Sequence, residues 1–221
     1  MKAFLDFILH LDEKVFAIIR DFGAQAYLIF FLIIFAETGL VIMPFLPGDS
    51  LLFALGMFAN PTKHALNIWI LIPLLVAAAF IGDNLNYQIG RRMGARIIAR
   101  GGTKFFKLEH IEKTQEFFAK HGGWTLVLAR WVPIVRTFAP FVAGMGNMPF
   151  QTFLRFSFFG GLFWVASCVL AGYFFGQIPW VQDNFEIAML IVLFASLIPI
   201  IIKIRSAKKA SAKRKAEQEA S

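Results

Sequence analysis

Charged residues are scarce in this chain. Only 16% of its 221 residues are Asp, Glu, Lys or Arg, 58% are hydrophobic, and the mean hydropathy is +0.65. Soluble domains are about 45–50% apolar and about 25% charged. This composition excludes a disordered chain, since disorder requires low hydrophobicity, and argues against an ordinary soluble enzyme. The length fits one domain, so the sequence predicts a single small integral membrane protein.

Cysteine and histidine are also rare. The single cysteine, Cys168, lies within an apolar run, so the sequence allows no intramolecular disulfide. The four histidines show no metal-ligand spacing: His10, His64, His110 and His121. We therefore predict no metal site and no cofactor.

Basic residues outnumber acidic ones by 22 to 14, and they cluster in two segments. Residues 91–120 hold eight against three acids, and residues 203–221 hold seven against two. Both segments adjoin apolar stretches, where an excess of Lys and Arg indicates cytoplasmic loops that contact anionic lipid. A nucleic-acid partner, which the net charge of +8 would suggest in a soluble protein, is the weaker interpretation.

Two apolar segments, interrupted by Pro47 and by Pro133, have arms shorter than the roughly 20 residues that cross a bilayer. We interpret each as a re-entrant helical hairpin; for the first, one continuous span over residues 24–44 is the alternative. The fold class predicted is an all-α integral membrane protein with two facing re-entrant hairpins and about three transmembrane helices. Its parts are an amphipathic helix at 4–22, hairpins at 26–60 and 124–146, spans at 66–90, 150–176 and 186–203, a cytoplasmic basic segment at 91–123 and a basic cytoplasmic tail at 206–221, with 1–205 as one domain.

The two basic clusters constrain the topology. If both are cytoplasmic, the spans between them are even in number, so the hairpin at 124–146 enters and leaves on the cytoplasmic side. The same parity places residues 60–65 outside, and the first hairpin then faces the second. An offset of 86 residues also relates Pro47 to Pro133, Tyr87 to Tyr173 and Gly90 to Gly176. This weak signal predicts an inverted repeat of the transporter type.

Four ionisable residues occupy the proline-broken apolar segments: Glu37 and Asp49 in the first, Arg130 and Arg136 in the second. A charge at the bilayer centre costs about 2.5–3.5 kcal/mol even on the lenient scale. One interpretation is that they are structural ion pairs between the hairpins. The other is that Arg130 and Arg136 bind a phosphate through guanidinium forks, while the two acids exchange protons near neutral pH. Pro47, Gly48, Asp83, Tyr87 and Pro133 are predicted supporting or gating residues, with Asp83 and Tyr87 at the cytoplasmic end of a span.

These motifs resemble a known family. Glu37-Thr-Gly, Pro47-Gly-Asp49, Gly82-Asp83 with Asn86-Tyr87, and Arg130-Trp-Val-Pro133 with Arg136-Thr-Phe are similar to motifs of the DedA family of bacterial inner-membrane proteins. The resemblance covers nearly the whole chain and implies membership of the wider VTT (SNARE-associated Golgi) superfamily, some of whose members are lipid scramblases. It implies facing re-entrant hairpins and a multi-pass protein of the bacterial inner membrane. It also implies functional roles for Glu37, Asp49, Arg130 and Arg136.

For function, the resemblance suggests a flippase that returns undecaprenyl phosphate, or a related anionic lipid, from the outer to the inner leaflet with proton coupling. The alternative is a proton- or ion-coupled transporter of a small solute. An intramembrane lipid phosphatase or phosphotransferase is the third hypothesis, but no nucleophile–base pair can be named. We therefore predict a transporter and not an enzyme, with no catalytic residue. The sequence leaves the oligomeric state open, a homo-oligomer included.

Overall fold

The computed structural model describes residues 11–40, 48–59, 66–99, 122–131 and 133–183, together with Phe118 and Ile187. Every regular element within this part of the chain is helical. The helices are α1 (Leu11–Phe22), α2 (Ala26–Gly39), α3 (Gly48–Phe58), α4 (Ile68–Ala99), α5 (Trp124–Ala129), α6 (Pro133–Met145), α7 (Phe150–Phe175) and α8 (Pro179–Asp183), with a 3₁₀ turn at Gly23–Gln25.

Three helical runs are long and apolar enough to cross a membrane: Glu13–Gly39, Ile68–Arg96 and Phe150–Phe175. The last two are the single helices α4 and α7. They expose large apolar side chains, among them Trp69, Phe159 and Phe174, as expected for surfaces that face lipid hydrocarbon. The all-helical membrane class predicted from composition is confirmed.

The first run bends back on itself. Leu11 of α1 and Glu37 of α2 line one cavity of about 410 Å³, although 26 residues of straight helix would separate them by about 39 Å. The bend lies at the 3₁₀ turn, where Gly23 has a φ of +51°, a conformation that glycine adopts at little cost. Helix α1 therefore lies beside α2 and α3, with Leu11 and Val15 buried and Lys14 exposed.

The short helices α3 and α6 each pack along a long helix from the other half of the chain. Helix α3 packs along α7, while α6 packs along α4. Glycines allow the backbones of each pair to come close together. A Cβ at Gly144 of α6 would overlap the Tyr87 carbonyl of α4, and a Cβ at Gly172 of α7 would overlap the Phe53 carbonyl of α3. As a result, α3 and α6 lie inside a frame made by α4 and α7, and their polar residues face the protein interior and not lipid.

Several predicted segments lie partly or wholly outside the described residues. These are the residues before Leu11, the turn at 41–47 that would join the arms of the first hairpin, most of the basic segment at 91–123, the span at 186–203 and the tail at 206–221. Short helices α3, α5 and α6 occupy the predicted hairpin arms. Their re-entrant character and the inverted repeat stay predictions.

Candidate functional site

Arg136 holds two carboxylates that come from different helices. From α6, its Nη2 donates to Oε1 of Glu37 on α2, and its Nη1 donates to Oδ1 of Asp49 on α3 at 2.6 Å. All three side chains are buried. The guanidinium therefore ties α2, α3 and α6 together, and it is the structural centre of the site.

Helix polarity explains only half of this arrangement. Asp49 lies in the first turn of α3, where the helix dipole favours an anion. Glu37 lies in the last turn of α2, where the dipole opposes one. Among the described residues, Glu37 is compensated by Arg136 and by the backbone N–H of Gly48, which both come from other helices, so tertiary contacts hold this acid.

Gly48 makes room for that carboxylate. A Cβ at this position would overlap Oε1 and Oε2 of Glu37. Oε2 meets no donor at good hydrogen-bond geometry within the described part of the chain, and neither does Nε of Arg136 find an acceptor. The ion pair thus retains one buried acceptor and one buried donor that a ligand or water would satisfy.

Arg130 belongs to a second cluster. It follows α5, and its Nη2 donates to Oδ2 of Asp83 on α4 and to the Ser157 carbonyl on α7 at 3.1 Å. The Ser157 hydroxyl donates to the same Asp83 oxygen at 2.6 Å. Arg130 and Asp83 are both buried, so this cluster is also an ion pair removed from water.

Trp164 of α7 connects the two clusters. Its indole N–H donates to Asp49 Oδ1 at 2.6 Å, the oxygen that Arg136 also holds. Its ring lies 4.8 Å from Arg136 Cζ and 5.9 Å from Arg130 Cζ, within the range of cation–π attraction. One buried side chain therefore contacts an acid of the first cluster and the cations of both.

A very small void separates the arginines. About 10 Å³ is open between Asp83, Arg130, Arg136, Phe153 and Ser157, which is room for about one water molecule. Nearby, Nδ2 of Asn86 donates to the carbonyls of Thr38 at 3.1 Å and Thr137 at 2.7 Å. This amide bridges α2, α4 and α6. The site is therefore closed and braced in this structure.

The predicted site residues divide as follows. Glu37, Asp49 and Arg136 come together, while Arg130 lies in the neighbouring cluster. Gly48 and Pro133 are the first residues of α3 and α6, and Pro47 lies outside the described residues. The Tyr87 hydroxyl donates to the Met148 carbonyl at 2.5 Å.

Asp83 does not lie at the end of a helix, and its position at the cytoplasmic end of a span stays a prediction. Helix α4 continues to Ala99 and buries Asp83 in its interior, where Asp83 binds Arg130 and Ser157. Asn86, on the same helix, faces α2 and α6. Sequence reasoning also missed Ser157, Asn86 and Trp164. The signal for Asn86 and Ser157 was a polar side chain within an apolar helix; nothing in the sequence distinguished Trp164 from the other four tryptophans.

No group of three or more His, Cys, Asp or Glu side chains in the described ranges lies close enough together to hold a metal ion. The chemistry available at the site is that of two guanidinium groups and three carboxylates. Such a set can bind an anion through the guanidinium groups or protons through the carboxylates.

The chain matches known proteins over most of its length. Residues 46–174 match the family model described as the VTT domain. Protein DedA of Escherichia coli K12 is 46% identical over 209 residues, 95% of each chain, and the inner membrane protein YghB of the same strain is 30% identical over 91% of each chain. An uncharacterized membrane protein of Mycobacterium tuberculosis is 40% identical over 89% of this chain and 86% of its own. No solved structure matches the chain. The chain therefore belongs to the DedA family of membrane proteins.

Proposed function

We propose that this protein moves a phosphate-bearing lipid, undecaprenyl phosphate or a related anionic lipid, from the outer to the inner leaflet of the bacterial inner membrane, and that protons drive or gate the step. The basic C-terminal tail then lies in the cytoplasm. The observation that carries this proposal is that both buried arginines are bound by carboxylates, Arg136 by Glu37 and Asp49 and Arg130 by Asp83.

Phosphate and the carboxylates compete for the same arginines, and this competition couples phosphate binding to proton binding. A phosphate binds guanidinium groups with the geometry that carboxylates use, so it displaces the acids from Arg130 and Arg136. A displaced carboxylate would be a buried charge without a partner, which is strongly unfavourable. Protonation removes that charge. Phosphate and protons therefore bind together, and each is released when the other leaves.

The charges of the site give a stoichiometry. Three ionised carboxylates against two arginines leave one excess negative charge, so the empty site is neutral when one carboxylate carries a proton. A phosphate with two negative charges keeps the site neutral only when the other two carboxylates are protonated as well. The proposal therefore predicts uptake of up to two protons for each phosphate bound.

The protein is proposed as a translocase and not an enzyme. Its void of about 10 Å³ between the arginines is too small for a phosphate, so binding requires the helices that supply Arg130 and Arg136 to separate from α4 and α3. Alternating separation of this kind towards each leaflet is how transporters expose one site to two sides.

The test is leaflet-resolved flipping of undecaprenyl phosphate in proteoliposomes across a pH series. Arg130→Ala and Arg136→Ala should each abolish flipping, whereas Arg155→Gln, at an exposed arginine of α7, should retain it. Glu37→Gln/Asp49→Asn should flatten the pH dependence, because it removes two of the three carboxylates that can take up protons. Unchanged flipping by either alanine variant, with the protein still folded, would refute the proposal. Transport of a small solute by protein that retains no lipid would favour the alternative.

A further inference from the structure

A second cavity, of about 470 Å³, lies beside the C-terminal half of α4. It is lined by Tyr87, Gln88, Arg91, Arg92, Ala95 and Phe150. The first five share one face of α4, since residues spaced by three or four positions lie above one another on a helix. Phe150, the first residue of α7, closes the opposite side. The cavity falls within the size range of small-ligand sites, about 300–1,000 Å³.

The charge of this cavity is positive. Arg91 and Arg92 are exposed, and no carboxylate among the described residues lies within ion-pair distance of either. Two neighbouring guanidinium groups present several donors to a tetrahedral anion, and the match with phosphate oxygens is better than with a spherical ion. The ligand class that fits is a phosphate monoester or diester.

The surroundings favour a phosphate that is attached to a lipid. The run of α4 that can cross the membrane ends at Arg96, so Arg91 and Arg92 lie in its last two turns, near the level of lipid headgroups. Leu85, six residues before Arg91 on the same helix, is exposed, as expected for a side chain on the hydrocarbon side of the headgroups. The Phe150 ring adds an apolar wall. An amphiphile with a phosphate head and an apolar chain satisfies all of these surfaces at once.

An aromatic pair separates this cavity from the buried arginines. Tyr87 lines the cavity, and its ring stacks on Phe153 with a centroid distance of 4.3 Å. Phe153 in turn lines the void between Arg130 and Arg136. Along α4, Asp83, Tyr87 and Arg91 follow at four-residue spacing, about 6 Å apart on one face. The cavity and the arginine void are therefore neighbours divided by two rings.

We propose that the Arg91–Arg92 cavity is a docking site for the phosphate group of an anionic lipid, on the path between the membrane surface and the buried arginines. This inference deepens the proposed function and rests on it for the direction of the path, but not for the binding itself. On the proposed outer-to-inner path, lipid that leaves the buried arginines passes Tyr87 and Phe153 when the helices separate, and it then binds here, at the end of α4 that leads into the basic segment predicted to be cytoplasmic.

Binding to the purified full-length protein tests this site directly. The probe is farnesyl phosphate, a short polyprenyl phosphate, compared with farnesol, with inorganic phosphate and with phosphatidylglycerol in nanodiscs. The double variant Arg91→Gln/Arg92→Gln should bind farnesyl phosphate at least about tenfold more weakly, since charge-assisted hydrogen bonds are lost. Arg96→Gln, at an exposed arginine of the same helix that does not line the cavity, is the matched control and should bind normally.

The outcomes separate the two proposals. Equal affinity of the double variant and the wild type would overturn the docking site, even if the wild type flips lipid. Inorganic phosphate that binds as tightly as farnesyl phosphate would overturn a lipid ligand. Farnesol that binds as tightly as farnesyl phosphate would overturn recognition of the phosphate. If the double variant binds farnesyl phosphate more weakly than the wild type, the docking site is supported. If the wild type also fails to flip lipid, the proposed function is refuted while the docking site stands. The variants should unfold at the wild-type temperature, because both arginines are exposed.

Discussion

The indole N–H of Trp164 and the guanidinium of Arg136 both donate to one oxygen, Oδ1 of Asp49, each at 2.6 Å. The Trp164 ring also lies 4.8 Å from Arg136 Cζ. The tryptophan therefore stabilises the pair twice, as a donor to the acid and as a π-surface for the cation. Substitutions of Trp164 can separate the contribution of the hydrogen bond to stability from that of the cation–π contact.

Trp164→Phe should destabilise the protein by about 1.5–3 kcal/mol, because a buried hydrogen bond to a charged group is lost while an aromatic ring remains. Trp164→Leu should cost more, since the cation–π contact is lost as well. The measurement is reversible unfolding in detergent, with Trp124→Phe as the control at an exposed tryptophan. Equal stability of Trp164→Phe and the wild type would contradict the hydrogen bond.

The Arg130–Asp83 pair should show strong energetic coupling. Removal of either partner leaves a buried charge and should cost about 3–5 kcal/mol. The double variant Arg130→Gln/Asp83→Asn should cost clearly less than the sum of the two single variants, because neither charge is then left alone. Unfolding measurements on the four proteins give this coupling energy.

The exposed pair of Arg20 and Asp21 provides the comparison. Asp21→Asn should leave stability unchanged, since solvent screens an exposed ion pair. Additive effects at Arg130 and Asp83 would show that the two side chains do not form a pair in the membrane.

Gly48→Ala should destabilise the protein by about 1–3 kcal/mol and impair flipping. The new methyl group would overlap the Glu37 carboxylate, which Arg136 holds in place, and such overpacking forces side chains from their positions. Gly161→Ala is the matched control, since its Cβ would meet Arg130 no closer than 3.4 Å. Thermal unfolding and the flipping assay on both variants are the measurements. A Gly48→Ala protein with wild-type stability and activity would show that Glu37 is free to move.

Binding of lipid phosphate should weaken as pH rises. If the buried carboxylates take up protons when phosphate binds, the affinity falls about tenfold per pH unit for each proton taken up. Calorimetry in buffers of different ionisation enthalpy measures the number of protons directly. Asp83→Asn should leave that number at up to two, because the two remaining carboxylates balance the arginines in the empty site and both must be protonated when phosphate binds; Glu37→Gln/Asp83→Asn, with one carboxylate left, should reduce it to at most one. A wild-type affinity that is independent of pH, with no proton uptake, would exclude the competition between phosphate and acids.

The sequence by itself determined the helical membrane class and the identity of the unusual residues. Hydropathy and helix propensity are local properties, so α4 and α7 were recognisable from their own residues. The cost of a charge in hydrocarbon singled out Glu37, Asp49, Arg130 and Arg136 without any knowledge of their partners. Gly48 stood out through its place in the Pro47-Gly-Asp49 motif, but its reason, the approach of Glu37, did not.

The tertiary structure decided how these charges pair. Glu37 and Arg136 are 99 residues apart, and Asp83 and Arg130 are 47 apart. No periodicity within a segment specifies which helices will meet. The packing of α3 along α7 and of α6 along α4 placed Asp83 beside Arg130, Glu37 and Asp49 beside Arg136, and Trp164 between the two clusters. Pairing of distant groups follows from helix packing, and packing depends on the shapes of all surfaces at once.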